Sequence, residues 1–224
     1  MKPLLLALLM GLFFTKSQQN DHPVEEKLIK LPQPAYQSGT SLEEAIKARR
    51  SVRSYARDSL SLAQLSQILW AAQGQTSSGG YRSAPSAGAL NPLEIYIVVG
   101  KVQDLIPGVY KYHPQRHGIT LEMEGDKRRP VARAAVMQSW MAEAPLMMVI
   151  TAVYSRTTIK YGPRGKRYVH MEVGHAAQNV YLQSVSLDLG TVMVGAFGDT
   201  VVKNILSLKK SEEPLAIMPV GIKK

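Results

Sequence analysis

Basic residues cluster in the early part of the chain, in the segment Arg49-Arg50-Ser51-Val52-Arg53. The segment follows a predicted helix whose start, at Ser41, is marked by a capping box with Glu44. Arg49 and Arg53 are four residues apart, so both would project from one face if this helix continued. A guanidinium group offers paired donors that match phosphate oxygens. The segment therefore predicts a phosphate site, although taken alone it is better explained as a basic helix end facing solvent.

Two later segments are rich in small residues. Pro85-Ser86-Ala87-Gly88-Ala89-Leu90-Asn91 precedes a predicted strand that begins at Glu94, and Val194-Gly195-Ala196 follows a predicted short strand at 191–194. Small side chains allow a ligand to approach the backbone closely. Either segment alone would be interpreted as an ordinary loop. Their order and spacing after the arginines favour one shared ligand site over three unrelated features.

The elements that must position these segments follow from periodicity and capping signals. A second helix is predicted from its cap at Ser61 to Gly74. The remaining predicted elements are strands at 94–99, 109–112, 119–123, 146–154, 191–194 and 215–220, and helices at 130–142, 168–187 and 200–208. Strands and helices mingle without strict alternation, so the prediction is an α+β fold with a central mixed sheet flanked by helices.

Length and composition limit the possible functions. A chain of 224 residues without cysteine has room for one substantial domain and cannot form disulfides, thiol nucleophiles or cysteine-based metal sites. The net charge of +10 favours anionic ligands or an anionic membrane surface. The charges are scattered and lack interleaved aromatic residues, so we expect no nucleic-acid partner. His170, Glu172 and His175 share no helix face, and we predict no metal site.

The amino terminus differs in kind from the rest. Lys2 precedes an apolar run at 4–14 that is short for a transmembrane span and typical of a signal peptide. We expect residues 1–17 to be a signal peptide cleaved after Ser17, which implies a periplasmic or secreted protein, or else an uncleaved anchor that associates the protein with the membrane. Residues 18–38 are expected to be an extended linker or arm, and residues 39–224 the folded domain.

A longer segment carries a family resemblance. The stretch 159–179, with the sequence IKYGPRGKRYVHMEVGHAAQN, joins the three segments above. With them, residues 41–221 resemble the FMN-dependent nitroreductase superfamily, and within it the SagB-type (thiazole/oxazole oxidase-like) dehydrogenase branch. The resemblance implies a nitroreductase-like fold, FMN as cofactor, and a homodimer whose two FMN sites lie at the subunit interface.

The resemblance also implies roles for individual residues. Phosphate and the pyrimidine edge of the flavin would be held by Arg49, Arg50, Ser51 and Arg53. One face of the ring would be covered by Pro85, Ser86, Ala87 and Gly88, with Leu90 and Asn91 on the partner-facing side. A backbone amide of Val194, Gly195 or Ala196 would face flavin N5. Lys160 and Tyr161 would be the catalytic acid/base pair, although Lys160 also fits a solvated basic loop, and Lys223 and Lys224 are weaker phosphate candidates.

The implied function is an oxidoreductase that passes hydride through flavin N5 to or from a small-molecule or peptide substrate. Two alternatives stay open at this point. One is an NAD(P)H-dependent nitro or quinone reductase, and the other is an exported flavin-binding protein without turnover. Export would also require that FMN, which is made in the cytoplasm, reach the protein outside it.

Overall fold

The computed structural model describes residues 27–224. The predicted signal peptide or anchor at 1–17, with its cleavage position, lies outside these residues. Within 27–224, every helix is too short or too polar to cross a bilayer.

One seven-stranded sheet forms the centre of the fold. Its strands are Ile29–Lys30 (β1), Leu93–Val99 (β2), Gly108–His113 (β3), Gly118–Glu124 (β4), Leu146–Ala152 (β5), Leu189–Thr191 (β6) and Glu213–Ile222 (β7). They lie in the order β1-β4-β3-β2-β5-β7-β6. Every neighbouring pair is antiparallel. The predicted α+β architecture is therefore confirmed, but the sheet is antiparallel, and the prediction of a mixed sheet was wrong. Parallel pairing is limited to isolated bridges such as Ser51 with Thr191.

The helices cover both faces of the sheet. They span Leu42–Ala48 (α1), Leu62–Gln73 (α2), Arg128–Ala134 (α3), Ser155–Tyr161 (α4), Gly165–Ser186 (α5) and Asp199–Ile205 (α6). Alternate residues of a strand point to opposite faces. Ile95 and Ile97 of β2 accordingly pack into one core with α2 and α5, whereas Tyr96 and Val98 pack into a second core with α3 and α6.

Local signals explain where α1 and α2 begin. Ser41 and Ser61 each accept a hydrogen bond from the backbone of the third helical residue, whose side chain bonds back to the cap. These capping boxes were predicted, and both form.

Two helix predictions need correction. α1 ends at Ala48, where Arg49 turns to an extended ψ of 125°, so Arg49 and Arg53 do not share a helix face. The helix predicted at 130–142 breaks after α3, because Val136 and Met137 have φ of 53° and 57° and a separate 3₁₀ turn follows at Ser139–Glu143. α1 ends early because a tertiary contact, the hydrogen bond from Val52 to Thr191, requires extended backbone in a segment whose sequence allows helix.

The described part of the predicted arm, residues 27–38, lies along the fold. Its residues Ile29 and Lys30 add an edge strand beside β4, and Leu31 is buried. The Gln67 side chain of α2 bonds to both the backbone N–H and the carbonyl of Ala35, at 2.8 and 3.0 Å. Ordered contacts therefore begin before Gly39.

The arginine segment is held against the edge of the sheet. The Val52 N–H donates to the Thr191 carbonyl of β6 at 3.0 Å, and the Ala56 N–H donates to the Ile222 carbonyl of β7 at 2.9 Å. Gly190 leaves the space that this contact needs, because a Cβ there would lie 2.6 Å from Val52 Cγ1 and 2.9 Å from Lys223 Cγ.

Replacing Gly190 by alanine should therefore push residue 52 away from β6. We expect Gly190→Ala to lower the free energy of unfolding by about 1–3 kcal/mol, as overpacking typically does, measured by urea denaturation. The control is Gly39→Ala, where a Cβ meets nothing within 4 Å and the change should stay within about 1 kcal/mol. Equal stability of the two variants would contradict this account of Gly190.

Candidate functional site

A tyrosine of α5 joins the arginine segment to the late loop. The Ser51 hydroxyl lies 3.2 Å from the Tyr181 hydroxyl, which also accepts a hydrogen bond from the Met193 N–H at 2.8 Å. The Arg49 guanidinium lies over the Tyr181 ring, 5.2 Å from its centroid. Residues 49–53 and 193–196, with Tyr181, therefore form one unit, here called the arginine cluster. Nothing in the sequence marks Tyr181, and sequence analysis missed it.

The late loop presents free backbone donors. Val194 is anchored, because its N–H and carbonyl bond to Ile217 of β7 at 2.8 and 2.9 Å. Gly195 and Ala196 are exposed, and within the described part of the chain neither uses its N–H in a hydrogen bond. An anchored loop with open amides is suited to bind an acceptor atom of a ligand.

The last residues of the chain lie beside the arginine cluster. Lys223 pairs with Tyr55 in an antiparallel bridge, and the Lys224 N–H lies 3.4 Å from the Ser54 carbonyl. The Lys223 side chain passes next to Gly190 and Val52. Residues 223 and 224 are thus paired with the backbone of residues 54 and 55, and such pairing orders a segment that could otherwise fray and bind poorly.

Arg50 lies apart from its neighbours in the segment. Its guanidinium donates to the carbonyls of Lys47 and Arg49, at 2.9 and 2.8 Å, and so satisfies the carboxyl end of α1. Arg53 is exposed and has no ion pair among residues 27–224. Arg53 is therefore more available to an anionic ligand than Arg50.

A second group, here called the loop cluster, combines residues 85–91 with Lys160 and Tyr161. Gly88 has φ of 62°, and a Cβ there would lie 2.8 Å from the Tyr161 hydroxyl and 3.1 Å from Lys160 Nζ. Glycine thus lets the loop backbone reach both side chains. The Ser86 hydroxyl accepts from the Asn91 N–H at 2.9 Å and closes the loop. The structure therefore brings the predicted catalytic pair to the predicted flavin loop.

Glu172 of α5 lies beneath this loop. Its side chain is only 2 % exposed, bonds to Ser86, and leaves Oε1 without a hydrogen-bond partner. Burial raises the pKa of Glu172 to about 7, against the opposing effects of Ser86 and Arg82. Sequence analysis considered Glu172 only with His170 and His175, but His170 bonds to the Tyr154 hydroxyl at 2.6 Å. Within residues 27–224, no three histidine, aspartate or glutamate side chains lie close enough together to hold a metal ion.

The two clusters lie on opposite sides of α5. Glu172 and Tyr181 are nine residues apart, which corresponds to about 14 Å along the axis and about half a turn around it. Glu172, which lies beneath residues 85–91, and Tyr181, which contacts residues 49–53, therefore project from opposite sides of the helix.

The comparisons with known proteins agree with this fold. The model of the nitroreductase family matches residues 46–222. A Methanocaldococcus jannaschii protein that carries a nitroreductase name is 52% identical over 182 residues, which cover 81% of this chain and 91% of that protein. The trifolitoxin-processing protein of Rhizobium leguminosarum is 25% identical over 132 residues, which cover 57% of this chain and 35% of that protein.

A solved structure is similar over nearly the whole fold. The crystal structure of a Ralstonia eutropha protein that carries a nitroreductase name has a TM-score of 0.77 and 29% sequence identity, covering 89% of this chain and 90% of that one. Proteins of this family generally use flavin cofactors. With an antiparallel α+β fold, a matching family model and a relative identical at half of its positions, this chain belongs to the nitroreductase family.

Proposed function

We propose that this nitroreductase-family oxidoreductase uses FMN and acts as a SagB-type dehydrogenase. The observation that carries the proposal is the arginine cluster, in which Tyr181 joins cationic side chains to a loop with two unused backbone amides. Cations beside open amides suit a ligand that ends in a phosphate and also carries acceptor atoms on a ring. The 25% identity with a toxin-processing protein supports a peptide-modifying branch of the family.

The donor set fits a phosphorylated flavin. Arg49, Ser51, Arg53 and Lys223 would hold the phosphate, and Gly195 and Ala196 would offer their N–H groups to the ring. When bound, FMN supplies a centre that accepts or releases a hydride. The protein's own contribution is to hold the phosphate, to exclude water from the ring faces with small residues, and to place a proton-transfer group beside the substrate.

A second copy of the chain would complete the site. Because Glu172 and Tyr181, which contact the two clusters, are about half a turn and about 14 Å apart along α5, we propose a homodimer in which residues 85–91 of one chain approach residues 49–53 of the other. The exposed face of α5 supports this arrangement, since it carries Met171, 52 % exposed, together with Gly174 and Gln178. A helix that packs on the core with one face and exposes an apolar side chain on the other is suited to pair with its copy.

Lys160 and Tyr161 would perform the proton chemistry. Lys160 Nζ lies 5.5 Å from the centre of the Tyr161 ring, and both side chains reach Gly88. A lysine held beside an aromatic ring and a flavin face would be placed to accept a proton from one atom of the substrate while the adjacent carbon gives up a hydride to the cofactor, so that a double bond forms between the two atoms. Such a reaction oxidises a small-molecule or peptide substrate at a C–H bond next to a heteroatom.

The second candidate function is an NAD(P)H-dependent reductase of nitro compounds or quinones. The name of the 52% identical relative favours it. That reaction brings hydride from a nicotinamide and needs no protein base at carbon, so it assigns no role to Lys160. A flavin-binding protein without turnover would use the same arginine cluster and residues 85–91, but it would need neither Lys160 nor Tyr161.

The amino-terminal segment adds a proposal on location. We propose that residues 1–17 direct export to the periplasm or beyond, or else anchor the domain at the membrane surface. The surplus of basic residues agrees with an anionic membrane nearby.

Removing the arginine forks should release the cofactor. We expect Arg49→Ala combined with Arg53→Ala to weaken FMN binding by about 10²- to 10⁴-fold, because two charge-assisted contacts of about 1.5–3 kcal/mol each are lost. The measurement is flavin absorbance after gel filtration and FMN affinity by fluorescence quenching. The matched control is Arg129→Ala combined with Arg133→Ala on α3, with the same change in net charge. Full retention of yellow colour in the first variant would refute the phosphate assignment.

Lysine 160 separates the two candidate functions. We expect Lys160→Met to keep its flavin but to slow anaerobic flavin reduction by a thiazoline-containing peptide about 10²- to 10⁴-fold, the usual contribution of a general base. Lys166→Met, on α5, is the control and should match the wild-type rate. If NADH or NADPH instead reduces the flavin quickly, and equally fast in Lys160→Met, the chain is a nitro or quinone reductase.

Glu172 should make stability depend on pH. The pKa of Glu172 is 4.5 in the unfolded chain and about 7 in the folded one. Between these two pH values the carboxyl is therefore ionised in the unfolded chain and still protonated in the folded chain. Stability from this group therefore falls as the pH rises through that window, by about 3 kcal/mol, and is level above it. Glu172→Gln should gain this amount relative to wild type between pH 4.5 and 8 in urea denaturation. The exposed control is Glu43→Gln. If the difference in free energy of unfolding between Glu172→Gln and wild type did not change with pH, or changed in the same way for the control, Glu172 would not be a buried neutral carboxyl.

A further inference from the structure

A cavity of about 360 Å³ adjoins the loop cluster. It lies where the loop enters β2, beside the turn between β3 and β4 and next to α4. Its polar lining comprises Arg82, Asn91, Glu94, His113, Gln115 and Arg156. The cavity shares Leu90 and Asn91 with the loop cluster, and Arg156 is one helical turn before Lys160 on α4. A ligand in this cavity would therefore lie beside the loop that Lys160 and Tyr161 contact at Gly88.

The carboxylates around this cavity are already matched by cations. Glu94 pairs with Lys111 Nζ at 3.1 Å and with the Arg156 guanidinium at 2.5 Å. Lys111 also pairs with the buried Glu212, at 3.1 Å. Burial opposes the ionisation of Glu94, but Lys111 and Arg156 together outweigh it and hold the pKa of Glu94 below its usual value. Two carboxylates are thus balanced by two cations.

Arg82 is a third cation beside the cavity, and it has no carboxylate partner within residues 27–224. Its guanidinium is half-buried, and of its five N–H donors one makes a hydrogen bond within residues 27–224, to the uncharged Gln73 Oε1 at 3.2 Å. No carboxylate of residues 27–224 lies within 4 Å of it. Glu172, which also faces Arg82, is only partly ionised at neutral pH. Burial without a partner lowers the pKa of Arg82, although Glu94 and Glu172 act against this.

A cation held partly out of water without a counter-charge is costly, and an anion that enters the cavity would offset that cost. We propose that the cavity binds the carboxylate of a substrate, with Arg82 as the paired donor. The proposal rests on the proposed function and specifies its substrate class as an organic acid or a carboxylate-bearing peptide. One surplus positive charge matches a monoanion, whereas a dianionic phosphate would leave an excess of negative charge beside Glu94.

Binding can be tested without turnover. Isothermal titration calorimetry of the purified full-length protein would compare benzoate, benzamide and inorganic phosphate as probes. We expect benzoate to bind at least ten-fold more tightly than benzamide or phosphate, and Arg82→Gln to weaken benzoate binding about ten-fold or more, as loss of a charge-assisted pair predicts. Arg82→Lys keeps the charge but loses the fork and should be intermediate. Arg129→Gln, across the sheet on α3, makes the same charge change and should keep the wild-type affinity.

Three results would overturn the proposal. One is equal benzoate affinity in wild type and in an Arg82→Gln or Arg82→Lys variant that melts at the wild-type temperature. Another is phosphate binding that is tighter than benzoate binding. Absence of benzoate binding to the wild-type protein would overturn it as well.

A second measurement separates this proposal from the proposed function. Photoreduced enzyme would be mixed anaerobically with 4-nitrobenzoate or 4-nitrobenzamide and followed through one turnover of the flavin. We expect the preference for the acid over the amide to fall about ten-fold in Arg82→Gln. Absence of bound flavin, or failure of the thiazoline-containing peptide to reduce it, with benzoate binding that still depends on Arg82, would refute the proposed function and leave the cavity assignment intact. Flavin turnover together with benzoate binding that does not depend on Arg82 would refute the cavity assignment and leave the proposed function intact.

Discussion

The candidate site depends on the backbone pairing of residues 51 and 52 with Thr191. β6 lies at the edge of the sheet, where backbone groups need partners. The chain that leaves α1 supplies them in extended form, and this ends the helix at Ala48. The pairing fixes the direction of the arginine side chains and brings Ser51 within reach of Tyr181. Without it, the basic segment would be a helix end in solvent.

The long helix α5 has two roles that follow from its geometry. One face carries small and apolar residues, such as Ala176 and Val180, into the core beside α2. On either side of that buried face, Glu172 supports the loop cluster and Tyr181 supports the arginine cluster. The same element therefore positions both halves of the site and keeps them apart. This separation is the physical basis for proposing that two chains share a cofactor.

Buried charge links the loop cluster to the adjoining cavity. Glu172 bonds to Ser86, and Arg82 interacts electrostatically with both Glu172 and Glu94. The two carboxyl groups differ in charge because their neighbours differ. Glu94 contacts two cations and stays ionised. Within residues 27–224, Glu172 contacts no cation, and its pKa is raised to about 7. The incomplete pairing of Arg82 follows from these two outcomes, because neither carboxyl reaches it.

Local patterns in the sequence determined the elements that depend on neighbours a few residues away. The capping boxes at Ser41 and Ser61, the apolar strands and the long helix are of this kind, and the segments that carry the family resemblance are contiguous as well. The predicted pair Lys160 and Tyr161 does meet the predicted loop at Gly88. Only the tertiary structure decided the antiparallel pairing, the end of α1, the part of Tyr181, the raised pKa of Glu172 and the unmatched charge of Arg82. Each of these depends on a partner, or on burial by residues, far away in the chain, and no local pattern encodes such a contact.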